Sequence, residues 1–292
     1  MKRFSAYSLV LWVAAAIVAF FCLAWGVNAY LGPRWHTLSS IVISQVAQVN
    51  SSLPAETNSA TTTPGSPGLF RYIEAVNGCG PYYEGTCVNI RSGPGEEFPV
   101  VGRLRNGQVL KIQGEEIVDG HTWYRILFDG ALRYPERVTG DWYVSGDYAK
   151  VFFDDGDHDL EKDAVASTTK RIVVDRSEQL LYAYDDGVLF MREPISTGLE
   201  FTPTPRGIFR VYKMTPSRYM QGPIPGISDQ YYDLPGVPWN LYFTYEGAVI
   251  HGAYWHDHFG EPWSHGCVNL APKKAEELYT WADIGTQVIV QD

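Results

Sequence analysis

Two stretches of the sequence alternate apolar and polar residues with a period of two, and this pattern constrains the fold more than any other feature. The first runs from about residue 88 to 144 and the second from about 170 to 290, with Gly, Asn and Asp at the joints. A period of two places successive side chains on opposite faces of a strand. Only residues 272–282 show helical spacing, with Leu278 and Trp281 on one face. The sequence therefore predicts a mainly β chain with a single helix.

An apolar segment near the N-terminus, residues 7–27, has the length of a helix that spans a bilayer. It follows Met1-Lys2-Arg3 and contains no Asp, Glu, Lys or Arg. Such a helix is roughly 30 Å long, the thickness of the hydrocarbon layer. Cleavage near residue 29, as in a secretory signal peptide, is the alternative. We expect residues 1–36 to form a cytoplasmic tip and single-pass anchor in the cell membrane, with the rest on the extracytoplasmic side.

Two polar stretches divide the remaining chain. Residues 37–68 are rich in Ser, Thr, Ala and Pro, a composition typical of a disordered linker. Residues 154–169 form a second, acidic linker, whose Asp-x-Asp spacing suggests calcium but lacks the closing Glu of a calcium loop. Folded domains are therefore predicted at residues 69–153 and 170–292. The net charge of −10 repels phosphate backbones, so no nucleic-acid partner is expected.

Three cysteines follow the apolar segment, which itself contains Cys22. Cys79 and Cys87 bracket a short turn-rich loop and are predicted to form a disulfide in an oxidising compartment. Cys267 is then the one unpaired thiol of the exported part. A lone thiol in such a protein suggests a functional role, and a small buried apolar residue is the alternative.

Several motifs of the first folded domain resemble those of bacterial SH3-type domains. They are Val-Asn-Ile-Arg-Ser-Gly-Pro-Gly at residues 88–95, Asn-Gly at 106–107, Trp-Tyr at 123–124 and Gly-Asp-Trp-Tyr-Val at 140–144. The resemblance implies a small β-barrel that binds the cell wall, and a rigid spacer is the alternative. A long turn at residues 127–138 departs from the minimal domain.

Reactive side chains are concentrated between His251 and Asn269, where four of the seven histidines fall. An imidazole close to Cys267 would activate its thiol, and His251 precedes it by sixteen positions at the end of a predicted strand. Gly266 permits a tight turn in which the amides of residues 265–267 converge on an oxyanion. Zinc held by these histidines and the thiol is the alternative. No His-Glu-x-x-His or Cys-x-x-Cys motif occurs, so we predict neither a metal nor a cofactor.

The second folded domain resembles YkuD-type L,D-transpeptidase catalytic domains. The similar motifs are Ile-Ser-Thr-Gly at residues 195–198, Thr-Pro-Arg-Gly-Ile-Phe at 204–209, Val-Pro-Trp at 237–239, His251-Gly252, and Ser-His-Gly-Cys-Val-Asn at 264–269. The resemblance implies a YkuD-like β-sandwich. It makes Cys267 the nucleophile, His251 the general base and the Gly252 carbonyl the group that orients the imidazole, with His265 and Gly266 in the oxyanion site.

The resemblance also implies a substrate and a reaction. The enzyme attacks a tetrapeptide stem of peptidoglycan at the diaminopimelate carbonyl, releases D-alanine and forms a 3-3 cross-link, a step of cell-wall biogenesis that affects cell shape. A hydrolase of the same fold and a non-catalytic wall-binding protein are the alternatives. The loop from Met214 to Asn240 is predicted to be a lid. Candidate substrate-binding residues are Ser264, Asn269, Arg206, Trp239, Tyr254 and Met220. Arg218 is a second arginine that could bind a stem carboxylate. For Trp239, Tyr254 and Met220, packing in the core is the alternative.

Overall fold

The structure is a computed structural model that describes residues 69–292 except Lys162 and Ile227. The anchor predicted at residues 1–36 and the linker predicted at residues 37–68 lie outside the described residues. Within the described part, no helix is both long enough and apolar enough to cross a membrane. The described residues belong to one compact unit, Pro64–Asp292.

The first folded domain is a seven-stranded antiparallel sheet in the order β3-β2-β6-β5-β4-β1-β7. Its strands are β1 (Phe70–Ala75), β2 (Val88–Arg91), β3 (Val100–Leu104), β4 (Val109–Val118), β5 (His121–Ile126), β6 (Tyr143–Ser145) and β7 (Ala149–Asp154). Apolar residues at alternate positions, such as Ile73, Ile90 and Leu104, fill its core. The predicted strands omitted β1 and β7, which pair with each other along their full length.

The second folded domain contains two five-stranded sheets, in the orders β11-β10-β9-β17-β12 and β16-β15-β14-β13-β8. Its strands are β8 (His158–Asp159), β9 (Arg171–Asp175), β10 (Leu180–Asp185), β11 (Val188–Pro194), β12 (Gly207–Arg210), β13 (Lys213–Ile224), β14 (Ser228–Tyr242), β15 (Val249–Gly252), β16 (Val268–Leu270) and β17 (Gln287–Gln291). Side chains of both sheets, among them Leu181 and Leu241, share one core. The prediction of a mainly β chain with one helix is confirmed for the described residues.

The single α-helix of the described residues, α1 (Pro272–Trp281), follows β16, the strand that begins directly after Cys267. Pro272 suits the first helical position because its ring presets the backbone and no N–H bond is lost there. The helix buries Ala275, Leu278 and Tyr279. It packs against β14 and β15.

Two sequence-based expectations are corrected. The segment from Met214 to Asn240 is not an irregular loop: it forms most of a long β-hairpin, β13 and β14. The prolines of this segment indicated a loop, because proline is rare inside a regular strand. Here the strand pairing is irregular, with one register shift between Gly222 and Ile224, and such a ladder tolerates proline. The acidic linker at residues 154–169 is also partly ordered, because β8 pairs with β13.

Candidate active site

Strand register places His251 and Asn269 on one face of a sheet. β15 and β16 run parallel, with Ile250 opposite Val268 and His251 opposite Asn269. Side chains alternate between faces, and paired residues point the same way. Ile250 and Val268 belong to the core, so His251 and Asn269 lie on the other face. Cys267 directly precedes β16, and its thiol lies beside the neighbouring strand β15, where the Val249 N–H acts on it.

His251 has the protonation state that a general base needs. Its Nδ1 lies 3.1 Å from the Gly252 carbonyl oxygen, so Nδ1 donates and Nε2 keeps its lone pair. The side chain is only 1% exposed, and Nε2 has no hydrogen-bond partner within the described residues. Burial lowers the pKa of His251 to about 4, although the Gly252 carbonyl opposes this, and the charge of Arg218 adds to the lowering. The imidazole is therefore neutral at pH 7.

The Cys267 thiol is half-buried, and its Sγ lies 3.9 Å from the carbonyl oxygen of Gly247. Burial raises the pKa of this thiol above its ordinary value, while the charge of Arg218 and the Val249 N–H act in the opposite direction. No hydrogen bond joins Sγ to Nε2 of His251 in this part of the chain. Thiol and imidazole are therefore both neutral at rest rather than a thiolate–imidazolium pair.

The turn before Cys267 is shaped by Ser264, which was predicted to bind substrate. Its hydroxyl donates to the Cys267 carbonyl oxygen at 2.5 Å and accepts from the Gly266 N–H at 3.2 Å. Gly266 has φ +114°, a region that side chains rarely adopt. The hydroxyl of Ser264 is thus engaged with the backbone, and its role in substrate binding stays a prediction. The Gly266 amide is engaged as well, so the amides of His265 and Cys267 are the candidate oxyanion donors, and the His265 side chain is exposed.

Asn269 is joined to a histidine that sequence reasoning did not select. Its amide lies 2.9 Å from His256 Nε2, and His256 Nδ1 accepts the His258 N–H at 3.2 Å. Burial, with the charge of His258, lowers the pKa of His256 to about 4. A neutral ring that accepts at Nδ1 must donate at Nε2, so the Asn269 oxygen faces it and the amide nitrogen is left for another partner. His256 is therefore a residue that orients Asn269.

A row of buried polar side chains crosses four neighbouring strands at the site. Thr215 pairs with Asn240 and His251 with Asn269, while the pairing of Leu241 with Ile250 aligns the two pairs. Each of the four polar side chains has one buried atom without a hydrogen-bond partner among the described residues. Strands lie about 4.8 Å apart, so the row spans roughly 14 Å. Buried polar atoms are rarely left unpaired, and such a row indicates where a polar ligand binds.

The two candidate arginines are clearly separated. Arg206 is exposed and forms an ion pair with the carboxylate of Asp292, and its role in substrate binding stays a prediction. Arg218 lies close enough for its charge to lower the pKa of both Cys267 and His251. It has no carboxylate partner in the part of the chain that the structure describes. Arg218 is therefore the cation available to a substrate carboxylate.

The other substrate-binding candidates are buried or half-buried. Trp239 is 6% exposed and packs in the core with its ring 5.3 Å from that of Tyr279. The Tyr254 hydroxyl donates to the Pro235 carbonyl oxygen at 2.7 Å. Met220 is half-buried on β13. For Trp239 and Tyr254 the structure thus gives packing positions in place of the predicted groove.

The disulfide between Cys79 and Cys87 closes a loop that reaches the catalytic domain. Tyr82 of this loop lies edge-on to the His258 ring with the centroids 6.0 Å apart. His258 also stacks on Trp263 at 3.7 Å. Among the residues described, no group of three or more metal-binding side chains is present.

Comparison with known proteins identifies both folded domains. Residues 169–290 match the family model of the L,D-transpeptidase catalytic domain (YkuD), and residues 86–150 match that of the bacterial SH3 domain. A comparison with curated proteins found no match.

Three solved structures are among those similar to this chain. An L,D-transpeptidase from Mycobacterium smegmatis is 22% identical, with 59% of this chain and 91% of that one covered and a TM-score of 0.41. An Enterococcus faecium L,D-transpeptidase with a cysteine replaced by serine is 28% identical, with 44% and 50% covered and a TM-score of 0.39. The catalytic domain of an E. faecium L,D-transpeptidase is 27% identical, with 43% and 100% covered and a TM-score of 0.37. The chain thus spans half the length of the second of these.

The two family matches cover the domains whose motifs showed the resemblance, and they confirm it. The chain carries a YkuD-type L,D-transpeptidase catalytic domain preceded by a bacterial SH3-type domain.

Proposed function

We propose that this protein is a peptidoglycan L,D-transpeptidase that forms 3-3 cross-links through an acyl-enzyme on Cys267. One observation carries the proposal. The imidazole of His251 on β15, fixed by the Gly252 carbonyl, keeps an unpaired Nε2 lone pair, and the free thiol of Cys267 lies beside the same strand. A base and a nucleophile arranged in this way suit acyl transfer.

The first half-reaction acylates the enzyme. Sγ of Cys267 attacks the carbonyl of the third stem residue while its proton passes to Nε2 of His251. Amides of His265 and Cys267 stabilise the oxyanion. The tetrahedral intermediate expels the amine of D-alanine, which takes the proton from the imidazolium, and a thioester remains on the enzyme.

The second half-reaction transfers the acyl group. An amine of a neighbouring stem attacks the thioester, its proton passes to Nε2, and the thiol regains a proton as it leaves. Both side chains begin neutral, so the charge that develops during attack forms only in the transition state. Arg218 supports binding of a stem carboxylate, because its charge reaches the thiol and it has no carboxylate partner in the described chain.

We further propose that the catalytic domain acts on the outer side of the cell membrane. The disulfide of Cys79 and Cys87 supports this location, because such bonds persist in oxidising compartments. Protease added to intact spheroplasts should then cleave the C-terminal domain. Complete protection of that domain would contradict the assignment.

Product analysis tests the proposed reaction. The full-length chain and its Cys267→Ala variant are incubated with disaccharide-tetrapeptide, and the products are identified by mass spectrometry. We expect a dimer that lacks one D-alanine, formed only with the thiol present. Tripeptide monomer without dimer would instead assign a hydrolase. Unchanged substrate with both proteins would contradict catalysis and favour a wall-binding role.

A further inference from the structure

Residues 127–138 of the SH3-type domain, here called the bridging loop, form hydrogen bonds near the tip of the β13–β14 hairpin. Within this loop, the Tyr134 N–H donates to Gln221 Oε1 at 2.9 Å, and Gln221 Nε2 donates to the Tyr134 carbonyl at 3.1 Å. The Tyr134 hydroxyl also donates to the Pro223 carbonyl at 2.8 Å. Gln221 is 4% exposed, so this reciprocal pair is shielded from water. The long turn that departs from a minimal SH3-type domain is therefore a contact to the catalytic domain.

A second set of contacts holds the middle of the same hairpin. Gln108 Nε2 donates to the Pro235 carbonyl at 2.7 Å, and the Ser217 hydroxyl donates to the Val109 carbonyl at 2.5 Å. The hairpin thus contacts the SH3-type domain both near its tip and in its middle. A cavity between the hairpin and the SH3-type domain is therefore lined by residues of both domains.

Such a space exists as a cavity of about 690 Å³, here called the junction cavity. The bridging loop forms one side of it with residues 127–132. On the hairpin side, the lining includes Lys213, Arg218 and Tyr242. A volume of this size lies within the range of sites that bind small molecules and short peptides.

Strand register connects the junction cavity to the thiol. Lys213 pairs with Tyr242, and Tyr242 pairs with Val249, whose N–H acts on the Cys267 thiol. Tyr242 lies on β14, and Cys267 directly precedes β16, which is two strands away in the same sheet. The two residues are therefore roughly 10 Å apart. An extended peptide covers that distance in about three residues. A peptide held in the cavity therefore reaches Sγ with a short extension.

The charges of the cavity favour a ligand that carries both signs. Lys111 pairs with Asp129 at 2.6 Å and Lys213 with Asp157 at 3.6 Å. Arg218 remains as a cation without a carboxylate partner among the described residues, on the side nearer the thiol. A ligand carboxylate would pair with this guanidinium, and a ligand ammonium group would be attracted to Asp155, a lining carboxylate with no Lys or Arg partner among the described residues.

We propose that the junction cavity binds a peptidoglycan stem peptide and that the SH3-type domain supplies one wall of this site. The proposal rests on the function proposed above for Cys267. A stem peptide carries both a free amine and free carboxylates, and it is long enough to extend from the cavity to the thiol. In this role the SH3-type domain takes part in substrate binding.

Blocking the cavity tests the proposal. Gly130 lines it, and no atom lies within 4 Å of a Cβ built there, so Gly130→Trp adds bulk without a backbone clash. Glu136→Trp, at an exposed position of the same loop outside the cavity, is the matched control. Binding of disaccharide-tetrapeptide to the full-length Cys267→Ala chain is measured by calorimetry. We expect Gly130→Trp to weaken binding roughly tenfold or more and the control to leave it unchanged. Equal affinity in all three proteins would overturn the proposal.

Kinetics with the thiol restored distinguishes the donor stem from the acceptor stem. Slower formation of the acyl-enzyme by Gly130→Trp would assign the cavity to the donor, and slower transfer to an added amine would assign it to the acceptor. No acyl-enzyme in the parent chain would refute the proposed function and leave the binding result intact.

As a second test, a tetrapeptide with amidated carboxylates should bind the Cys267→Ala chain more weakly than the natural one, and Arg218→Gln should remove that difference. Equal binding of both peptides to the Cys267→Ala chain would overturn the charge assignment.

Discussion

Acid should destabilise this protein through its buried active-site imidazole, and replacing that imidazole should remove a defined part of the effect. Burial lowers the pKa of His251 from the ordinary 6.5 to about 4. Between these two values the unfolded chain binds a proton at this position and the folded chain does not. Stability is therefore complete above the ordinary pKa and decreases as the pH falls towards 4.

The magnitude follows from linkage between proton binding and folding. One such histidine costs about 2 kcal/mol of unfolding free energy between pH 7 and pH 5, and about 3 kcal/mol at most. Burial also lowers the pKa of His256 to about 4, which adds a similar loss. His158 opposes them, since its pKa is raised by Asp155 and Asp163 despite its partial burial. The difference between parent and variant isolates one residue.

The variant for this measurement is His251→Asn, whose amide nitrogen can still donate to the Gly252 carbonyl. Urea unfolding followed by tryptophan fluorescence gives the unfolding free energy at each pH. The loss between pH 7 and pH 5 should be about 2 kcal/mol smaller for the variant than for the parent. His121→Asn, at an exposed position, should behave like the parent. An identical pH dependence for parent and His251→Asn would refute the assignment of a buried neutral imidazole.

Three further predictions concern the reactive turn, the thiol and the disulfide. Gly266→Ala should lose at least about 1 kcal/mol of unfolding free energy and most of the activity, because φ is +114° there. Gly114→Ala, where an added Cβ would meet open space, should retain both. Equal values for the two variants would contradict this reasoning. Alkylation of Cys267 should still accelerate as the pH rises past 9.0, because burial raises its pKa above that ordinary value; a rate plateau below pH 7 would instead indicate a resting thiolate. Replacing Cys79 and Cys87 by Ser should lower the unfolding free energy by about 2 to 3 kcal/mol, the entropy of the short loop, and unchanged urea midpoints would show that the bond contributes nothing.

The parts of the fold that sequence reasoning found are those with strong local patterns. Short alternating runs predicted most strands, and helical spacing predicted a helix at residues 272–282, close to the observed Pro272–Trp281. The hairpin of β13 and β14 was missed because its prolines and glycines resemble a loop. Its pairing depends on contacts with the SH3-type domain that no local pattern reveals.

The site divides in the same way. Cys267 and His251 were selected because their motifs are local to one turn and one strand. Arg206 was selected for its place in a motif, yet its partner is Asp292 at the end of the chain. His256 was missed as a partner of Asn269. Such pairings come from the register of distant strands, which sequence alone does not specify.

The central claim is that Cys267 accepts an acyl group from a stem peptide. Intact-mass spectrometry of the full-length chain, quenched in acid shortly after mixing with disaccharide-tetrapeptide, measures this directly. The account predicts an adduct equal to the donor minus D-alanine, located on Cys267, and absent from Cys267→Ala and strongly reduced in His251→Asn. A chain that turns over substrate without any adduct on Cys267, or an adduct that persists in Cys267→Ala, would contradict it.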